Sequence, residues 1–165
     1  AVVSALQLHR VASRTEEASA VFTVVLACLA VITITTVIHY EVLGALNDRL
    51  PAMKVPDRSK LLVVMVAAFA AHLIEMAVWG AALFLLVHHA DVGMLRGDVP
   101  PTLLNCIYFS AETYTSLGFG DVRPDGHLRL WVGMEALNGL LLIAWSASFA
   151  YLSMERFWSQ RKPRR

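Results

Sequence analysis

Charge is scarce in this chain of 165 residues: 16% are Asp, Glu, Lys or Arg, and the formal net charge is +1. So small an excess provides no field for gathering a polyanion, and nucleic acid is excluded as a partner. No regularly spaced arginine series occurs, which excludes a voltage-sensing helix of the charged type. Cysteine is nearly absent, with Cys28 and Cys106 the two present. Both fall in apolar helical stretches, so no disulfide is expected, and without close histidines they make no zinc site. No standard signal peptide is visible, and the missing initiator methionine suggests processing.

What the chain has in abundance is apolar surface, with 57% hydrophobic residues and a mean hydropathy of +0.57. Three stretches are long enough for the roughly 20 helical residues a bilayer requires: about 18–46, 60–89 and 127–155. A fourth apolar segment, 102–115, is too short to span. It follows Pro100-Pro101, a favourable helix start because proline is tolerated in the first turn, and reads as a re-entrant pore helix. Residues 1–17 read as a plain segment flanking the first span; the alternative for Val2–Glu17 is an amphipathic surface helix, with Val3, Leu6, Leu8 and Val11 apolar and His9, Arg10, Arg14, Glu16 and Glu17 polar.

Immediately after the short helix stands Ser116-Leu117-Gly118-Phe119-Gly120-Asp121, two glycines alternating with apolar residues. A cation leaving water needs replacement oxygens, and a short extended backbone supplies them as stacked rings of carbonyls. Pointing successive carbonyls one way requires backbone angles of alternating hand, costly for residues with a Cβ, and Gly118 and Gly120 fall at alternate positions. Such irregular backbone survives at membrane depth only when protein or water surrounds it, which requires several chains about one axis.

Residues 61–158 resemble the potassium-channel pore family in its minimal bacterial two-span form, with the first span as an addition. The six filter residues stand where that family usually has Thr-Val-Gly-Tyr-Gly-Asp. The resemblance implies that the carbonyls of Ser116, Leu117, Gly118 and Phe119, with Gly120 beyond, ligate dehydrated potassium. It implies that the Ser116 hydroxyl completes the innermost site and that Thr115 precedes it. Phe119 lacks the tyrosine hydroxyl that would tie the filter to the pore helix. Tyr108 and Phe109 stand where the family often has tryptophans, so the aromatic cuff is expected to be held mainly by packing.

The implied architecture is an all-α membrane protein with three transmembrane helices, a pore helix and a filter, closed as a homotetramer. Its parts are a flank (1–17), an added span (18–46), a linker (47–59), a pore domain (60–158) and a basic tail (159–165). Nine of the fourteen basic residues lie in or beside the linker (Arg49, Lys54, Arg58, Lys60) and the tail (Arg156, Arg161, Lys162, Arg164, Arg165). They mark the cytoplasmic side, leaving the N-terminus outside a membrane that resemblance makes a bacterial inner one. Asp91, Asp98, Asp121 and Asp125 then make the outer mouth attractive to cations.

Glu112 and Asp121 flank the filter. Two readings stay open: a semi-buried pair sharing a proton and bracing the filter, or a solvated mouth charge with a local cap. Ionisable residues within spans are functional candidates by default. His72 and Glu75 share one face of the second span, with Glu135 and Asn138 of the last span as possible partners in one polar network. His39, Tyr40 and Glu41, and likewise His88 and His89, read as membrane-interface markers. On the last span Leu141, Ala144, Ser148 and Leu152 recur at helical spacing as pore-lining candidates. Gly139, with Gly133, is a possible gating hinge or a close-packing position.

The expected function is passive potassium conduction, with membrane lipids and potassium as partners, no cofactor and no enzymatic activity. Alternatives are a weakly selective monovalent cation channel and a nonconducting sensor subunit. A metal-binding protein using His39, His72, Glu75, His88 and His89 is a further alternative, disfavoured because these donors are spread from one membrane face to the other. The gating stimulus is not legible.

Overall fold

The computed structural model describes the backbone of residues 2–159 and the side chains of residues 14–157. Helix α1 (Val2–Arg49) leads through a single 3-10 turn (Leu50–Ala52) to α2 (Asp57–His89). Then come β1 (Leu95–Arg96), the short α3 (Leu103–Tyr114), β2 (Arg123–Pro124) and α4 (Leu128–Ser159). Three helical segments, Arg14–Ala52, Asp57–His89 and Leu128–Phe157, are long and apolar enough to cross a membrane. The chain is therefore an all-α membrane protein. At 1.5 Å per residue the 12-residue α3 is about 18 Å long, short of the ~30 Å hydrocarbon core. The backbone of α1 is one helix from Val2. The polar and apolar faces expected for residues 2–13 lie outside the described side chains, and the basic tail beyond Ser159 lies outside the described residues.

Prolines punctuate the turn between α1 and α2. Pro51 sits in the 3-10 turn and Pro56 is the N-cap of α2, so α2 begins ahead of its apolar run. Helix α3 is capped at both ends. The Thr102 hydroxyl accepts from the Asn105 N–H at 3.3 Å, and the Asn105 amide donates to the Pro100 carbonyl at 2.8 Å. At the other end Ser116 N–H donates to Thr113 O (3.0 Å) and Leu117 N–H to Glu112 O (2.8 Å). These two bonds form a Schellman cap, which requires a left-handed residue at its turning point. Ser116 occupies that point with φ +57°.

Between lipid-bathed helices apolar surface gives no net drive, so association depends on close packing and interhelical hydrogen bonds. Both are visible where α3 wedges between α2 and α4. A Cβ added at Gly80 would lie 2.6 Å from the Ile107 Cα, and one at Gly139 would lie 2.2 Å from the Tyr114 carbonyl oxygen. Gly139 thus marks a close approach of α4 to the end of α3, and α4 runs through it without interruption. Asn138 binds three helices together: its Oδ1 accepts from the Thr35 hydroxyl of α1 at 2.9 Å and from the Trp79 indole of α2 at 3.1 Å.

The filter-end core gathers Val24 and Cys28 of α1, Trp79 and Leu83 of α2, Cys106, Phe109 and Tyr114 of α3, and Trp131 of α4. Trp79 and Trp131 meet edge to face at 4.6 Å. A smaller cluster of Leu43, Leu46, Leu50, Val64 and Phe157 closes the linker end. Elsewhere α1, α2 and α4 leave large apolar side chains such as Phe22, Leu62 and Phe69 exposed, which suits surfaces facing acyl chains. Across the loops, β1 and β2 pair antiparallel with Leu95 opposite Pro124 and Arg96 opposite Arg123.

Candidate filter and buried polar cluster

The left-handed turn at Ser116 starts an alternation. Positive φ recurs at Ser116 (+57°), Gly118 (+56°) and Gly120 (+81°), every second residue. The two glycines carry this conformation without penalty, whereas Ser116 bears about 1–2 kcal/mol of steric cost, held in place by the two cap bonds. The sequence pattern pointed to Gly118 and Gly120; the third position was missed because its signal is the helix cap, not glycine. Leu117 and Phe119 remain 60% and 66% exposed. The Thr115 hydroxyl turns back to the Ala111 carbonyl at 2.7 Å, within its own helix.

Behind this segment lies a cavity of about 290 Å³, lined by Phe109, Glu112, Ser116, Gly118, Gly120 and Val132 among others. Glu112 is buried, and its Oε1 has no hydrogen-bond partner. Asp121 accepts from the Val122 N–H at 3.0 Å and from the Tyr108 hydroxyl at 3.2 Å. Hydrogen bonding to Glu112, with lesser effects of burial and Asp121, pushes the Tyr108 phenol well above its ordinary pKa. The hydroxyl itself donates to Asp121. The expectation of an aromatic contact held mainly by packing is corrected: a hydroxyl on α3 reaches Asp121. Arg123 adds a second tie, its Nε donating to the Gly120 carbonyl at 3.3 Å. Asp125, counted as a free mouth charge, is paired with Arg96 at 2.6 Å. That guanidinium, with the Gly126 N–H, lowers its pKa.

Deeper in the bundle, the four residues expected to form one network belong to separate groups. Asn138 serves Thr35 and Trp79, and Glu135 accepts a short hydrogen bond from the Ser110 hydroxyl. Glu75 is the centre of the third group. Its Oε1 lies 2.8 Å from His39 Nδ1, its Oε2 lies 2.9 Å from His72 Nδ1, and the Tyr114 hydroxyl donates a short bond to Oε2. Ser146 Oγ lies 3.2 Å from His39 Nε2 and 3.1 Å from His72 Nε2. His39 and Glu75 are fully buried. His39 is thus no interface marker, whereas its neighbour Tyr40 is exposed. The reading that the histidine and carboxylate donors are spread apart is likewise corrected: His39, His72 and Glu75 offer ligand atoms within 4.8 Å of one another. His88 stays apart, on the Phe84 carbonyl. Tyr114 and Ser146 were missed because single hydroxyls on apolar helices carry no pattern.

Residues 61–154, more than half of the chain, match the family model described as ion channel. No curated protein and no solved structure gives a significant match.

Proposed function

The chain belongs to the ion channel family, and on that premise we propose that it forms a passive potassium-selective pore from four copies around one axis. It is not an enzyme; it carries ions across a membrane in which it is integrally embedded. The observation that carries the potassium reading is the alternation of backbone hand at Ser116, Gly118 and Gly120. This is the conformation by which consecutive carbonyls come to share one direction and replace a hydration shell. The carbonyls of Ser116, Leu117, Gly118 and Phe119 are the proposed ligands, with the Ser116 hydroxyl at the innermost site.

A single chain leaves the filter's apolar residues uncovered, with Leu117 and Phe119 about two-thirds exposed. Neighbouring subunits cover them in the proposed tetramer, where α3 is the re-entrant pore helix. Tyr108 braces the filter through Asp121, in place of the hydroxyl that Phe119 lacks. On α4 the exposed face carrying Leu141, Ala144, Ser148 and Leu152 lines the cavity below the filter. Gly139 is accounted for by packing against Tyr114; Gly133, whose Cβ position is open, is the better bending point. The pore domain is 60–158, and α1 is an added span. Basic residues of the α1–α2 turn put that turn and the C-terminus in the cytoplasm and the N-terminus outside.

Purified protein reconstituted in planar bilayers, with mixed potassium and sodium, tests this directly. A reversal potential near that of potassium, abolished by Gly118→Ala, is the expected result. A reversal near zero refutes selectivity and leaves a cation pore; silence in every condition refutes conduction and leaves a sensor subunit.

A further inference from the structure

The cluster around Glu75 is assembled as a metal centre, and we propose that His39, His72, Glu75 and Tyr114 bind one divalent transition ion of the zinc class within the membrane. Among the described residues, His39, His72 and Glu75 form a group of histidine and carboxylate side chains close enough to share an ion. They come from two different helices, α1 and α2, and Tyr114 of α3 adds a fourth oxygen, 3.0 Å from His72 Nδ1. Tetrahedral zinc with ligands at about 2.0–2.2 Å sets donor atoms roughly 3.3 Å apart. The observed separations of 2.8, 2.9 and 3.0 Å need to widen by a few tenths of an ångström, and the short bond from Tyr114 to Glu75 must open further.

Proton bookkeeping at Ser146 is the second observation. With both rings neutral and their protons on the Nδ1 atoms facing Glu75, each turns a bare Nε2 toward one hydroxyl that has a single proton, so one ring nitrogen lacks a donor unless that ring is a buried imidazolium paired with Glu75. With an ion bound at both Nδ1 atoms, both Nε2–H groups donate to Ser146 Oγ, which has two lone pairs to accept them. The near-equal distances of 3.2 and 3.1 Å fit that outer partner, of the kind that fixes the ring orientation of metal-bound histidines.

Charge balance agrees. The Glu75 carboxylate and a Tyr114 phenolate, its proton displaced by the ion, balance a 2+ charge, so a fully buried centre carries no net charge. Two imidazoles with two hard oxygens suit zinc, cobalt, nickel or copper and not potassium, magnesium or calcium. An apolar cavity of about 290 Å³ reaches the cluster at His72 and Ser146, and the Trp145 ring covers His39 at 5.3 Å. Because Tyr114 ends the pore helix one residue before Thr115, the ion would staple the added helix α1 to the base of the filter. This site does not depend on which ion the pore conducts.

The test uses the full chain in detergent, stripped with a chelator and titrated with Zn²⁺ by calorimetry and with Co²⁺ by visible absorption. One ion per chain is expected, with a tetrahedral Co²⁺ spectrum. His39→Gln and Glu75→Gln should each weaken binding by about 100-fold or more. Ser146→Ala, which touches no ligand atom of the ion, should weaken it by about 10–100-fold with the stoichiometry kept. Failure of the wild-type chain to bind Zn²⁺ stoichiometrically, or binding unchanged in His39→Gln and Ser146→Ala, overturns the proposal. Both readouts are independent of conduction.

Discussion

Two glycines of α4, six residues apart, should respond to the same substitution with opposite signs. An alanine methyl at Gly139 would lie 2.2 Å from the Tyr114 carbonyl oxygen and 2.9 Å from its carbonyl carbon and Cγ. Ordinary contact between such atoms is about 3.5–4.0 Å, so α3 and α4 must separate by about 1 Å or more. Overpacking of this kind costs about 1–3 kcal/mol, offset in part by the roughly 0.5–1 kcal/mol that alanine gains over glycine in a helix. At Gly133 nothing lies within 4 Å of the added carbon, and only the gain remains. Gly133→Ala should therefore exceed Gly139→Ala by about 2 kcal/mol, roughly a 30-fold difference in the folding equilibrium. Reversible unfolding in mixed micelles, followed by tryptophan fluorescence, measures it. Equal stabilities for the two variants, or Gly139→Ala above wild type, would refute the close approach of α4 to α3. Conduction offers a second reading, because displacing Tyr114 moves the cap at Ser116; Gly139→Ala should also shorten channel openings, while Gly133→Ala leaves the filter geometry intact.

Tyr108→Phe removes the hydroxyl that donates to Asp121, and it should shorten the conducting state severalfold in single-channel records without abolishing current. Unchanged dwell times would show that the tie is idle. Asp125 has a lowered folded pKa because of Arg96, so its contribution is present above the unfolded value of about 3.9 and is lost as pH falls through the lower folded value. Hydrogen exchange at the Asp125 N–H, which donates to the Met94 carbonyl, should stay as protected at pH 5 as at pH 8 once intrinsic rates are corrected. Protection should fall only below about pH 4; a loss near neutrality would assign the β1–β2 loop to another group.

Much of the architecture was legible because the bilayer imposes its own lengths. Runs of apolar residues had to become three long helices, and Pro100-Pro101 marked the start of the short one. The alternation at Gly118 and Gly120 was legible for a similar reason, since few residues other than glycine adopt those angles. The third left-handed position was not, because Ser116 is placed there by the cap of α3 and not by its own preference. Nor were the polar groups: His72 and Glu75 were visible as a pair on one helix face, but Glu135 and Asn138 go to other partners. Which donors a carboxylate meets depends on the rotation of each helix about its axis, and in a uniformly apolar helix that rotation leaves almost no trace in the sequence.

By itself, then, the order of amino acids determined that this is a membrane protein with three long apolar helices, a short capped helix and a glycine-alternating loop. Hydrophobic length and backbone sterics are local properties and can be read residue by residue. Tertiary structure alone decided that His39 is buried against Glu75, that Tyr108 reaches Asp121, and that Gly139 admits the end of α3. Those outcomes depend on how four helices rotate and approach one another, where small residues set the distance and a few hydrogen bonds select the angle.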